Sequence, residues 1–142
     1  MRMGTKGRLA VNALLDLALR ESAGPVALLS ISQRQQVSLS YLEQLFSRLR
    51  RHGLVESTRG PGGGYTLGRM AAQISVADIV TAVDEADEGE PCTGLIDSVS
   101  ARLWRDLDAV MLAHLATISL HSLVEQQVAS GVCFQEIGRA HL

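Results

Sequence analysis

The sequence predicts a mainly α-helical fold: a winged helix-turn-helix with a two-stranded wing, followed by a long C-terminal helix suited to dimerisation. Three observations carry this. Apolar residues recur at three-and-four spacing in successive segments of the first half. A Gly/Pro cluster, Arg59-Gly60-Pro61-Gly62-Gly63-Gly64, separates two short β-prone runs. Charge is segregated: residues 1–70 hold ten Lys/Arg and four Asp/Glu, a net of +6, and residues 71–142 hold three Arg and eleven Asp/Glu, a net of −8, behind an overall −2. A basic half is the electrostatic footprint of nucleic-acid contact, although charge alone fits a solvated surface equally well.

The first helix is expected over residues 7–21, where Leu9, Ala10, Ala13, Leu14, Leu17 and Ala18 share one face, and Gly24-Pro25 ends it. A short second helix follows at 28–36 around Leu28 and Ile31. The third is the best specified. Ser40-Tyr41-Leu42-Glu43 has the form of a capping box, with Ser40 as N-cap and Glu43 reaching back. Leu42, Leu45, Phe46 and Leu49 make its apolar stripe, and Gly53 is the expected stop. Leu54–Thr58 and Tyr65–Leu67 then bracket the glycine-rich turn as a hairpin. Helix, helix, turn, helix, hairpin is the order of a winged helix-turn-helix.

A fourth helix is expected at 75–84, opened by Ser75 with Asp78 three residues on. From Val99 a long helix places Leu103, Leu107, Val110, Met111 and Leu115 on one side, and Ser119 caps a last helix at 120–127. The expected organisation is a DNA-binding domain over 1–85, an acidic loop over 86–98, a dimerisation helix with a short capping helix over 99–127, and a flexible tail over 128–142.

Composition narrows the function. There is no run of 18 apolar residues and no apolar signal core at the N-terminus, so a cytoplasmic protein without a membrane span is expected. Two cysteines, Cys92 and Cys133, are too few for a disulfide framework, and with His114, His121 and His141 they show no metal-ligand spacing. No nucleophile elbow, zinc-protease or nucleotide motif appears, so an enzyme is not expected. The glycine-rich run lacks the lysine and hydroxyl of a phosphate-binding loop, and no helix follows it.

The residues fit for DNA lie on the third helix and the turn. Ser38, Ser40, Tyr41, Glu43 and Gln44 are base-proximal candidates, since Gln pairs with adenine and a carboxylate accepts from cytosine N4. Glu43 is also the capping residue, and the two roles are compatible. Arg59 and Gly60 would bring the wing to a groove or phosphate. Lys6, Arg48, Arg50 and Arg51 would anchor phosphates.

These motifs also carry a resemblance. The start Met1-Arg2 with Thr5-Lys6-Gly7-Arg8, the block Ser38–Phe46, the run Arg59–Tyr65, the segment Ile74–Glu85 and Leu103-Trp104-Arg105-Asp106-Leu107 together resemble the IscR-like iron–sulfur cluster regulators over roughly residues 1–125. The resemblance implies a dimeric winged-helix transcription factor whose long C-terminal helix crosses its partner's. It also implies a [2Fe–2S] cluster held by three cysteines and one histidine in the loop before that helix. Here the sequence departs from the family: the loop is about six residues shorter by that alignment, Cys92 alone matches a ligand, Ser98 stands for the third cysteine and Ala101 for the histidine. Arg8 and Asn12 occupy the positions near the first helix where some relatives supply another ligand. Gln36 replaces a turn glycine, at a cost on the order of 1 kcal/mol if that site is left-handed.

The expected function is therefore a homodimeric, sequence-specific regulator on a palindromic DNA operator, without the family's usual cluster; a cluster held through Cys133, a histidine or the other subunit stays open. Two alternatives stand beside it. One is a thiol- or metal-responsive redox switch using Cys92. The other is a regulator, such as a repressor, that senses nothing itself and is controlled by a partner.

Overall fold

The computed structural model describes residues 5–60, 62–84 and 99–130. Its elements are α1 (Thr5–Arg20), α2 (Leu28–Gln35), α3 (Leu39–Arg51), β1 (Val55–Thr58), β2 (Gly64–Leu67), α4 (Val76–Asp84), α5 (Val99–Leu115) and α6 (Leu120–Ser130), with 3-10 turns at Glu21–Ala23 and Ala71–Gln73. The loop expected at 86–98, with Cys92, and the tail beyond Ser130, with Cys133, lie outside the described residues.

One core unites the first four helices. Ala10, Ala13, Leu14 and Leu17 of α1 meet Ile31 of α2, Leu42, Leu45, Phe46 and Leu49 of α3, and Ile79, Ala82 and Val83 of α4. The α1 and α3 residues are stripes the three-and-four spacing predicts, with Leu9 and Ala18 half-buried at the edge of that of α1. Leu120 of α6 is fully buried in the same core. Its N–H donates to the Ile74 carbonyl at 2.8 Å, and the Val76 N–H donates to Ile118 at 2.9 Å. α6 runs on through Val128–Ser130, residues expected in the tail.

The wing is an antiparallel pair, with Val55 opposite Leu67 and Thr58 opposite Gly64. It is pinned to the body twice. Tyr65 exchanges backbone hydrogen bonds with Val26, at 2.8 and 2.9 Å, so the segment before α2 forms a third, one-residue strand. Gly64 permits this approach, because a Cβ there would strike the Val26 carbonyl. Tyr65 also meets Phe46 of α3 edge-on, ring centroids 5.0 Å apart. The wing is thereby fixed relative to α3.

Charge appears in the core at one place among the described residues. Asp16 is fully buried on α1. It accepts from Arg20 Nε at 2.9 Å, from Arg34 Nε and Nη2 at 3.0 and 2.8 Å, and from Gln35 Nε2 at 3.2 Å. Arg34 and Gln35 close α2, so this carboxylate ties α2 to α1. Composition and spacing give no hint of the Arg34 contact.

α5 differs from every other helix. None of its residues is buried, and Val99, Leu103, Trp104 and Val110 are 83, 57, 47 and 66% exposed. Of the apolar side expected for this helix, Leu103 and Val110 are exposed, whereas Leu107, Met111 and Leu115 are half-buried.

Candidate nucleic-acid interface

The site begins at the turn between α2 and α3. α2 ends at Gln36, whose φ of 57° and ψ of 49° are left-handed. The glycine substitution noted in the sequence thus falls at the position where glycine costs least. The Val37 N–H donates to the Ser32 carbonyl at 3.1 Å and closes the turn.

The cap of α3 corrects one expectation. The N-cap is Ser38, in extended conformation, and its Oγ accepts from the Tyr41 N–H at 3.2 Å. Ser40 is already inside the helix, and the Ser40–Glu43 capping box does not form. The reason is the turn: with Gln36 left-handed and Val37 bonded back to Ser32, the chain reaches helical geometry two residues early. At the other end Gly53 has φ 74°, with Gly53 N–H to Arg50 at 3.0 Å and Leu54 N–H to Leu49 at 3.0 Å. That is a Schellman close, as the sequence predicts.

Between these ends α3 turns one polar face outward. Ser40, Glu43, Gln44, Ser47, Arg48 and Arg51 line a shallow concavity of about 440 Å³. Their spacing of three and four puts them on one side of the helix, opposite buried Leu42, Leu45 and Leu49. Ser40, Glu43, Gln44, Ser47 and Arg51 are exposed. Ser47 belongs to this face and was not among the expected contacts.

The other expected residues are placed as follows. Ser38 lies at the start of the face, its oxygen used by the cap. Tyr41 is half-buried and packs against the core. Arg50 is exposed on the flank of the face, outside the concavity. Arg48 is half-buried, and its Nη1 donates to the Val83 carbonyl in the last turn of α4 at 3.0 Å. That contact engages one nitrogen of a side chain expected to anchor a phosphate. Arg59 and Gly60 are exposed at the wing tip, where the Gly63 N–H closes the turn on the Gly60 carbonyl at 2.8 Å; Pro61 is outside the described residues. Lys6 is half-buried in the first turn of α1.

Comparison with known proteins decides the family. The family model described as Rrf2, iron-dependent transcriptional regulator, matches residues 3–126. The chain belongs to the Rrf2 family. It is 53% identical over 133 residues to the HTH-type transcriptional regulator IscR of Xenorhabdus nematophila, covering 89% of this chain and 81% of the relative. Among solved structures it is similar to T. potens IscR, at TM-score 0.74 and 34% identity over 94% of this chain and 93% of that one. It is also similar to an oxidised form of Staphylococcus aureus CymR, at TM-score 0.70 and 34% identity over 88% and 97% of the two chains. Rrf2 relatives of this kind are transcription regulators, not enzymes, and the winged-helix fold predicted from the sequence is the fold observed. No described helix is long and apolar enough to cross a membrane.

Proposed function

We propose that this Rrf2 protein regulates transcription as a homodimer that reads a palindromic operator through α3 and the wing. The observation that carries this is the polar face of α3. Ser40, Glu43, Gln44, Ser47 and Arg51 stand together on a rigid helix in the basic half of the chain, beside a wing fixed by Tyr65. On this reading Ser38, Ser40, Glu43, Gln44 and Ser47 lie near base edges, with Tyr41 supporting the helix from its buried side. Lys6, Arg50 and Arg51 meet phosphates, and Arg59 with Gly60 meets the flanking groove. On this reading the dimer rests on α5, whose Leu103, Trp104 and Val110 are exposed. Two half-sites would then lie about 34 Å apart or a multiple of that.

The test is binding to palindromic DNA across a salt series, with sedimentation of the free protein. A dimer whose affinity falls steeply with salt is expected. A monomer, or affinity indifferent to salt, would sink the reading.

The family's cluster does not fit the donors present. The loop offers one thiol, Cys92; Ser98 and Ala101 replace two further ligands, and alanine has no donor atom. Among the described residues no group of three His, Cys, Asp or Glu comes together. His114 is exposed on α5 and His121 pairs with Glu125 at 3.5 Å. From the donor set of that loop alone, we read the chain as a regulator without the usual [2Fe–2S] group. The visible spectrum of protein purified without oxygen checks this: a colourless protein that binds DNA is expected, and a cluster spectrum with stoichiometric iron overturns it. A thiol switch at Cys92 is the second reading, favoured by the likeness to a CymR solved in an oxidised form. If it holds, Cys92→Ser abolishes any change in DNA affinity on mild oxidation.

A further inference from the structure

Arg48 occupies a place that separates it from the other cations of α3. It lines the polar face, yet its Nη1 donates to the Val83 carbonyl, 3.0 Å away and 35 residues on in sequence. Val83 lies in the last turn of α4, where carbonyls lack intrahelical partners and the helix dipole is negative. A guanidinium is the right group there: it supplies a donor and a compensating charge together. α4 in turn packs on α1 through Ile79, Ala82 and Val83. Val83 is 1% exposed and belongs to the core, so the accepting residue is packed on the body of the domain.

Resting on the reading of α3 as the recognition helix, we propose that Arg48 is a positioning residue rather than a phosphate anchor. It locks the rotation and height of α3 against the end of α4, and so sets where Ser40, Glu43, Gln44 and Ser47 fall along the base edges. Arg51, one turn on and exposed, keeps its charge for the backbone. The two arginines line one concavity and do different work.

The two roles separate in a salt series. Removing a phosphate anchor flattens the slope of log affinity against log salt by about 0.9 per contact, hence about twice that for a dimer, and weakens all sequences alike. Removing a positioning residue leaves the slope and lowers the ratio of operator to random-sequence affinity. The experiment compares Arg48→Ala and Arg51→Ala with the unmodified full chain, at a temperature where all are folded. For Arg48→Ala the expected result is an unchanged slope with a specificity ratio about tenfold lower, the scale of one charge-assisted hydrogen bond. For Arg51→Ala the slope flattens at a nearly unchanged ratio. A flattened slope in Arg48→Ala with the ratio kept overturns the proposal. Absence of any operator preference in the unmodified protein instead refutes the recognition-helix reading itself.

A measurement on the unmodified protein covers the case in which Arg48→Ala does not fold. Rotation of the Arg48 guanidinium, followed by NMR in DNA-free protein, is expected to be slow. Free rotation that becomes restrained only when DNA is added would make Arg48 an anchor and overturn the proposal.

Discussion

Replacing Asp16 with alanine tests whether the helix-turn-helix is held by charge as well as by packing. Asp16 is fully buried, and its carboxylate accepts from Arg20, Arg34 and Gln35. Breaking a buried ion pair by removing one partner costs about 3–5 kcal/mol, because the other charge is left unpaired. Here the cost is smaller. The Arg20 and Arg34 side chains are 19 and 21% exposed, so their guanidinium groups can turn toward water when the carboxylate is gone. A loss of about 2–3 kcal/mol remains, from the abandoned donors and the unfilled space. Asp16→Asn keeps the volume but turns an amide donor toward Arg34 or Gln35, so it loses nearly as much. The assay is urea denaturation followed by circular dichroism, at one protein concentration because the stability of the proposed dimer would depend on it. The midpoint moves and the slope stays. A loss below about 1 kcal/mol for both variants would put Asp16 in the class of surface pairs, and the claim that it ties α2 to α1 would be wrong.

Three further outcomes follow from the same structure. Ser38→Ala costs about 1 kcal/mol through loss of the N-cap, whereas Ser40→Ala leaves stability within about 0.5 kcal/mol and weakens operator binding; thermal melts rank the two, and the reverse order would restore Ser40 as the cap. Gln36→Gly stabilises by about 0.5–1 kcal/mol, since relief of the left-handed strain exceeds the added freedom of the unfolded chain; a destabilised variant would deny the φ of 57°. If α5 carries the proposed dimer, Leu103→Asp and Val110→Asp each put a charge among its exposed apolar residues and yield a monomer in sedimentation velocity. A dimer that survives both would place the interface elsewhere.

What the sequence reveals and what it hides divide along the range of the interaction. The capping box at Ser75 and Asp78 forms as expected, with Asp78 N–H to Ser75 Oγ at 3.0 Å and Ser75 N–H to Asp78 Oδ2 at 3.1 Å. Nothing upstream competes with it. At α3 two serines compete, and local pattern favours Ser40 because Glu43 completes its box. The outcome goes to Ser38, since Gln36 and the Val37–Ser32 bond fix where the helix begins. Asp16 sits four residues before Arg20, a spacing legible in the sequence, but its stronger partner Arg34 is on another helix. The Val26–Tyr65 pairing and the Arg48–Val83 contact join residues 39 and 35 apart, and no periodicity encodes either. Apolar stripes are legible because each helix presents its own; the polar links between helices are not.

The shift of the cap has a consequence for recognition. With Ser40 as N-cap, Glu43 would spend its carboxylate on the backbone at the helix start. With Ser38 in that role, the residue at the reciprocal position is Tyr41, which has no carboxylate, and Glu43 stands exposed in the concavity beside Gln44 and Ser47. On the proposed reading, a carboxylate there opposes the attraction of Arg51 for phosphates and lowers affinity for DNA that offers it no donor. It is compensated only where a base offers a donor, and cytosine N4 in the major groove does. A desolvated carboxylate facing the wrong base edge is left unpaired, which is discrimination by repulsion as much as by attachment. On the proposed reading, the two serines two residues apart therefore decide more than helix stability: with Ser40 as cap Glu43 would share its carboxylate between helix and groove, and with Ser38 as cap the whole of it is left for the groove.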